Sequence, residues 1–398
     1  MQVLFNSIDG QTNQEHSVCV FSHYDPNGVV EPYVRYYLRE LKRCNFAVVF
    51  VTTSPSLDDE SLAALRELTV SCILRENIGY DFGSYKTGID HTFLRIPKVK
   101  QLLLTNDSVF GPIYPLDKVL ATAQEHDVFG MTDSFDFHYH LQSYFLLYNK
   151  KTLHSHAFKA FWGSVESIDA GQPGFKQKII LQYEVGGSQF FREQGFSLKA
   201  AFPYRQLMVS EFSDYLQVLE HVEEEPRSSV KPLHIKFNST HSYWKKLIQQ
   251  GYPFLKRELL LVNPTNTDIS TWPATVAKHS NYDPTLIVSA LRNFSGSDDF
   301  FFLTNPTETS QSMNSDSTLT LSINPAFFAW QQEYDVPSLR TFKFDEQRYL
   351  NHYPDVKVAV EQGKIENGKK HFLLFGYSEG RLLGLTRFDN SNAASARL

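Results

Sequence analysis

Residues 18–28 read VCVFSHYDPNG, an apolar, β-branched run that breaks into a polar turn, which is the form of a buried strand followed by its exit loop. Working outward, Val30, Tyr33, Val34, Tyr37, Leu38 and Leu41 recur at helical spacing, so residues 29–43 read as an amphipathic helix returning across a sheet. Phe46 to Val51 is the next strand. Ser56, with Asp59 three residues later, reads as the start of a second helix whose inner face is Leu62, Leu65 and Leu68. Val70 to Leu74 is a third strand, a helix runs on to about Phe93, and Gln101 to Thr105 is a fourth strand. Alternation of this kind predicts an α/β fold of Rossmann-like form, whose right-handed crossovers make these strands parallel and bring their exit loops to one edge.

Beyond this unit, Asp127 to Thr132 and Gln142 to Asn149 read as two further strands, with helices over His156–Ile168 and Phe175–Gly195. Residues 296–324 are poor in apolar side chains and rich in Ser, Thr and Asn, the composition of a linker. The sequence therefore divides into a domain over 1–295, a linker over 296–324, a small helical module over 325–386 and a flexible tail over 387–398.

Composition narrows the function. The 398 residues carry 38 basic and 44 acidic side chains, a net charge of −6, so no bulk attraction draws the chain to nucleic acid. Cys19, Cys44 and Cys72 lack the spacing of a zinc or redox pair and read as buried thiols in a reducing compartment. No apolar run approaches the ~18 residues of a membrane span, so the expectation is a cytoplasmic protein able to touch the inner face of a membrane. The 32 Phe and 20 Tyr read as core packing ahead of sugar-stacking platforms.

Ligands of open α/β sheets bind beyond the carboxyl ends of the strands. The first exit loop carries His23 and Asp25, and the third reads RENIGYDFGSYK over 75–86. Gly79 and Gly83 bracket a helix start, where close backbone approach and free N–H groups can hold a diphosphate and Lys86 can add charge. The other reading is a plain turn. Asp81 is more telling, because an acid beside a phosphate repels it unless it binds a ribose hydroxyl, a base or a cation. The fourth strand runs into Thr105-Asn106-Asp107-Ser108, and a carboxylate there can hold Mg²⁺ or Mn²⁺ against a diphosphate, or simply cap the turn.

The runs RENIGYDFGSYKTGID, LLLTNDSVFGPI, HLQSYFLLYNK and HSYWKKLIQQGYPFLKRELL span residues 17–264 in an order that resembles the rhamnan synthesis F family of bacterial polysaccharide glycosyltransferases, of GT-A type. The resemblance implies a GT-A-like sheet, an enzyme of hexosyl transfer and a nucleotide-sugar donor such as dTDP-rhamnose or GDP-rhamnose. It also implies a growing, lipid-linked glycan as acceptor. It places Asn77, Gly79 and Asp81 on the nucleotide, and Asp107 where GT-A enzymes have the metal-binding acid of an Asp-x-Asp motif, here reading Thr105-Asn106-Asp107. Glu184 resembles the acid that opens the acceptor-side helix, with Arg192 and Gly195 following, and as a general base it would deprotonate the acceptor. Asp133 is the rival base, and the plain reading of Glu184 is a solvated helix residue. His140 and Gln142 are candidates for orienting donor or acceptor sugar.

Near the end of the matched region, His241 and Lys256 are candidates for neutralising a leaving diphosphate, whereas Trp244, Leu247, Ile248, Phe254 and Leu255 read as an apolar face with Lys245, Lys246 and Arg257 solvated. The segment around Tyr349-Leu350, Pro354-Asp355-Val356, His371-Phe372 and Glu379-Gly380-Arg381 resembles a small module of bacterial surface-polysaccharide and secreted proteins, which implies docking to other polysaccharide-assembly enzymes or to a second copy. Two alternatives stay open: transfer of another sugar such as galactofuranose, and a scaffold that binds a nucleotide-sugar or glycan without turnover. A chain ending near residue 295 is expected to keep donor binding and turnover on a short soluble acceptor while losing oligomerisation or action on a long lipid-linked one. Loss of donor binding in a truncated chain that circular dichroism shows to be folded would overturn that division.

Overall fold

The computed structural model describes residues 1–8, 15–96, 98–134, 139–166, 175–204, 206–207, 238–265, 267–295, 342–365, 367–371 and 385–387. The stretch 296–324, His234, the apolar run 372–375, the Gly376 and Gly380 turns and the tail beyond Arg387 lie outside the described residues. The chain forms two compact units, and the first takes in the described residues of 1–134, 139–203 and 238–295.

The first unit is built on a sheet of nine strands among the described residues, with a main path of eight and one strand to its side. β2 (His16–His23), β3 (Phe46–Thr52), β4 (Ser71–Leu74) and β5 (Val99–Asn106) are mutually parallel in the order β4-β3-β2-β5. Helices α1 (Pro32–Arg43), α2 (Asp59–Leu68) and α3 (Tyr80–Arg95) make the crossovers. This is the parallel α/β sheet that the alternation predicts. β1 (Gln2–Asn6) joins β4 antiparallel at one edge. At the other, β9 (Phe145–Asn149) runs antiparallel to β5 and to β7 (Val128–Ser134), which pairs parallel with β10 (Leu198–Phe202). The two-residue strand β8 (His140–Leu141) pairs with β7.

Period-two alternation in β2 sorts its side chains to two faces. Val18 and Val20 join one core with Val49, Val51, Phe82, Tyr85 and Ile89. Phe21 turns to the opposite face, stacking on Phe50 at 5.7 Å and meeting Tyr37 of α1 edge-on at 5.4 Å. The first core continues into α6 (His156–Gly163) and α8 (Gly186–Glu193), where Phe158, Phe161, Trp162 and Phe191 pack with Tyr148 of β9. Aromatic rings here fill the core.

Several boundaries differ from expectation. The second helix is capped by Asp58, whose carboxylate accepts from Ser61 N at 2.7 Å, instead of by Ser56. The helix expected over 156–168 stops at Gly163, and Gln142 precedes its strand. A single helix expected over 175–195 is interrupted: α7 (Phe175–Ile179) widens into a π-helical turn, Ile180–Val185, before α8.

The second unit holds short helices Glu346–His352, Pro354–Glu361 and Gly368–His371, and paired strands Phe342–Phe344 and Leu385–Arg387. Its centre is Tyr349, fully buried and hydrogen-bonded to His371 Nδ1 at 3.0 Å. Among the described residues no helix is long and apolar enough to cross a membrane.

The seat of α3 on the sheet depends on Gly88, where an added Cβ would stand 2.3 Å from Val20 Cγ1 of the central strand. Alanine gains about 1 kcal/mol over glycine in helix propensity, but overpacking a rigid β-branched neighbour costs about 1–3 kcal/mol. Gly88→Ala is therefore expected to lower the urea midpoint with its slope unchanged, and a raised midpoint would contradict this packing.

Candidate functional site

β4 hands the chain to α3 through Gly79, whose φ of +79° suits a residue without Cβ, and Tyr80 follows at +49°. That turn places Asp81 in the first turn of α3, where a carboxylate is favoured by the helix dipole. Ser22, at the end of β2, donates from Oγ to Asp81 Oδ1 at 2.8 Å, and Asn106, at the end of β5, donates from Nδ2 to Oδ2 at 2.8 Å. Burial pushes the Asp81 carboxyl above its usual range, the Ser22 hydrogen bond opposes the rise and the nearby Asp107 charge adds to it.

Asp107 is buried one residue further along. Its backbone N donates to Ser22 O at 3.2 Å, and its Oδ2 accepts from Tyr24 N at 3.3 Å. Arg257 reaches the same carboxylate oxygen at 3.3 Å and also donates to Tyr33 Oη at 3.1 Å, while the Tyr33 hydroxyl donates to Asp107 O at 2.9 Å. Its guanidinium lies 5.0 Å from the Phe294 ring centre. Burial works against the Arg257 charge, but Asp107 and the Tyr33 hydroxyl hold its pKa well above the ordinary value. Arg257 is thus no solvated surface cation, and the expectation that it was is corrected. The cause is a two-strand ribbon: β11 (Leu255–Lys256) pairs antiparallel with β6 (Val109–Phe110), and Arg257 N donates to Ser108 O at 2.9 Å.

Lys256 ends β11 and Arg257 opens a short helix, Arg257–Leu261, and this change of backbone form sends the two side chains to different partners at the Asp107-Ser108 loop. The Lys256 ammonium donates to Ser108 Oγ at 3.3 Å and lies 4.0 Å from the Tyr144 ring centre. Ser108 in turn donates from Oγ to Asn106 Oδ1 at 2.7 Å. Burial lowers the Lys256 pKa to about 8, resisted by Glu184, Asp81 and Glu258 and aided by Arg257. His241 is 3% exposed, and its Nε2 has no hydrogen-bond partner among the described residues, with Glu258 Oε2 3.8 Å away. Burial, with Lys256 close by, lowers its pKa to about 4 and keeps the ring neutral.

Glu184 stands on the π-helical turn, a form frequent at functional sites. Its side chain is only 16% exposed, so it is not a solvated helix residue. Ser143 donates to its two oxygens, from N at 3.2 Å and from Oγ at 3.0 Å, and His140 Nε2 is 3.8 Å away. Gln142 is buried beside it in sequence and accepts from Thr132 Oγ1 at 2.7 Å. Asp133 is buried near the end of β7, paired across the ladder with Leu141.

Asp81, Asn106, Asp107, Lys256 and Glu184 therefore come together, with His241 at the Lys256 side. Other candidates have local engagements. His23 is buried with Nδ1 3.0 Å from Thr52 Oγ1, and burial lowers its pKa. Asp25 Oδ1 caps its own loop, accepting from Asn27 N at 2.8 Å and Val29 N at 3.0 Å. Asn77 is exposed. Lys86 donates to Trp162 O at 3.1 Å and pairs with Asp90 at 3.5 Å, engagements outside the cluster. Ser22, Ser108, Tyr33, Tyr144 and Arg257 escaped sequence reading. Their one legible signal was the pair of adjacent cations, Lys256-Arg257, after Pro253.

A divalent cation does not fit these groups well. Each Asp81 oxygen accepts a hydrogen bond, Asp107 is paired with a guanidinium, and Thr105 stands where the first acid of an Asp-x-Asp motif would be. Among the described residues no three His, Cys, Asp or Glu side chains form a metal-ligand group.

The family model of rhamnan synthesis protein F matches residues 48–328, more than half of the chain, and the chain belongs to that family. It is 30% identical over 201 residues to virulence protein VirA of Vibrio anguillarum, a match covering 48% of this chain and 63% of that one, so the chain spans less than two thirds of this relative's length. Among solved structures it is similar to a putative nucleotide-diphospho-sugar transferase from Desulfovibrio desulfuricans G20, at 14% identity and a TM-score of 0.29 over 48% of this chain and 80% of that one. It is also similar to the glycosyltransferase GlyE of Streptococcus pneumoniae TIGR4, at 11% identity and a TM-score of 0.33 over 74% and 66%. The family match assigns the chain, and these distant likenesses add no weight to it.

Burying Lys256 below its ordinary value of 10.5 costs stability while the amine is charged in both states, that is below pH 8, and the cost fades as pH rises from about 8 to 10.5. Lys256→Met is expected to stabilise the fold by about 1–3 kcal/mol at pH 7, with the gap shrinking toward pH 10. Urea denaturation at both pH values checks this, and a variant less stable at pH 7 would contradict it.

Proposed function

We propose that this member of the rhamnan synthesis protein F family is a glycosyltransferase that moves rhamnose from a nucleoside diphosphate donor, dTDP-rhamnose or GDP-rhamnose, to a growing lipid-linked glycan. The observation that carries the reading is the meeting of Asp81, Asn106 and Asp107 at the strand-exit rim with Lys256 and Glu184. Acids at the rim suit the hydroxyls and base of a nucleoside, while a cation beyond them suits the diphosphate. The Ser22–Asp81–Asn106 bonds hold the acidic part of that rim fixed before any ligand arrives.

In this reading Glu184 is the general base. The acceptor hydroxyl gives its proton to the Glu184 carboxylate as its oxygen bonds the sugar's anomeric carbon, and the bond from that carbon to the diphosphate breaks. The leaving nucleoside diphosphate carries away the electron pair, and Lys256 faces the charge that develops. Ser143 aims the carboxylate from both oxygens, and the π-helical turn gives Glu184 its inward position. Attack opposite the leaving group inverts the anomeric centre. Asp133 is the rival base.

Glu184→Gln is expected to leave donor affinity nearly intact and lower turnover by on the order of 10²–10⁴. A near-normal rate would move the base to Asp133. Product NMR is expected to show the anomeric configuration opposite to the donor's, and retention would remove the base role from both acids.

A further inference from the structure

The donor groups around the Asp107-Ser108 loop exceed what the protein itself uses. Lys256 has three N–H donors and one hydrogen bond, at 3.3 Å to Ser108 Oγ, with its remaining contact to the Tyr144 ring. His241 Nε2 is buried and makes no hydrogen bond among the described residues. An unpaired polar atom in such a place costs stability, and a ligand that satisfies the atom removes that cost. Arg257 uses Nη1 on Asp107 and Tyr33 at the same loop. All three residues come from one segment, 241–257, and the β6–β11 ribbon fixes the latter two against Ser108.

The acceptor side is the reverse. Asp107 faces a guanidinium, both Asp81 oxygens accept hydrogen bonds, and Asn106 Oδ1 accepts from Ser108 Oγ at 2.7 Å. Mg²⁺ demands near-ideal octahedral oxygen ligands and binds through free carboxylates together with substrate phosphates. Here it would share the Asp107 carboxylate with the Arg257 charge, which repels it, and the Asp81 oxygens with the donors of Ser22 and Asn106. Surplus donors with committed acceptors suit an acceptor-rich anion bound directly.

We propose that Lys256, with His241 and Arg257, takes the place of the divalent metal in this chain, so that the donor's diphosphate is held and its leaving charge stabilised by protein groups alone. This inference rests on the donor-site reading above. The negative groups facing Lys256 are Asp81, Glu184 and Glu258. Asp81 is tied to Ser22 and Asn106, Glu184 to Ser143, and Glu258 is 48% exposed and lies near His241 and Lys176, which leaves the ammonium's unused donors for the ligand.

The test is calorimetric titration of the full chain with dTDP, GDP and UDP, once in chelator and once with Mn²⁺. At least one nucleotide is expected to bind with affinities that differ less than threefold between the two conditions. Lys256→Met is expected to weaken that binding tenfold or more in both conditions. Lys256→Arg should keep most of it, and Lys245→Met, which removes an exposed cation of the same segment, should change nothing. Binding that vanishes in chelator and returns with Mn²⁺ overturns the inference while leaving the donor site standing. Undiminished binding by a folded Lys256→Met chain also overturns it, and no binding of any nucleotide in either condition overturns the donor-site reading with it.

Discussion

Asp81 ties three elements to one point. Its carboxylate accepts from Ser22 at the end of β2 and from Asn106 at the end of β5, and its backbone opens α3. The two strands are the central neighbours of the sheet, and α3 crosses over them with Gly88 against Val20. A half-buried carboxylate stripped of either donor would carry an uncompensated charge, so the strand ends and the helix start hold each other in register. Everything placed at the rim inherits that position: the Asp107-Ser108 loop follows Asn106 directly, and the loop is what Lys256 and Arg257 grip at Ser108 and Asp107.

The grip explains how a segment so far along the chain reaches the first strands. Apolar residues Trp244, Leu247, Ile248, Phe254 and Leu255 are buried, which anchors 244–255 without help from its charges. The chain then pairs with β6 over Leu255–Lys256, turns into a helix at Arg257, and so brings Lys256 to Ser108 and Arg257 to Asp107. On the opposite flank the π-helical turn does similar work, since its extra residue per turn rotates Glu184 inward toward Ser143. A strand-to-helix junction and a π-helical turn therefore frame the cluster. Irregularities such as the π-helical turn concentrate where function, more than stability, selects the geometry.

The parallel part of the sheet was legible because its strands are buried on both faces and its helices carry a clear apolar stripe. Val18 to Phe21 and Leu102 to Leu104 could be little else. β1 was not legible, since QVLFN is short, half exposed and defined by pairing with β4, seventy residues away in the chain. The π-helical turn was equally hidden, because one extra residue in a helical run leaves no trace in periodicity. At the site, Asn106 and Asp107 stood out as polar residues at the end of an apolar strand, and Asp81 as an acid at a glycine-bracketed helix start. Arg257 was misread because nothing in the local pattern shows that the β6–β11 pairing sets the start of its helix against Asp107 and Tyr33. Ser22 and Ser108 carry no chemical signal alone and matter only through the carboxylate and amide they orient.

The account stands on the Asp81 rim being a nucleotide-sugar site, and a thermal-unfolding screen of nucleotide sugars on the wild-type chain and on Asp81→Asn tests it most directly. A ligand at about 100 times its dissociation constant stabilises by about 2.7 kcal/mol. The account predicts a gain of that order for at least one nucleotide sugar with the wild-type chain, and its loss in an Asp81→Asn chain that circular dichroism shows to be folded. No gain with any nucleotide sugar, or an equal gain in both chains, would contradict it.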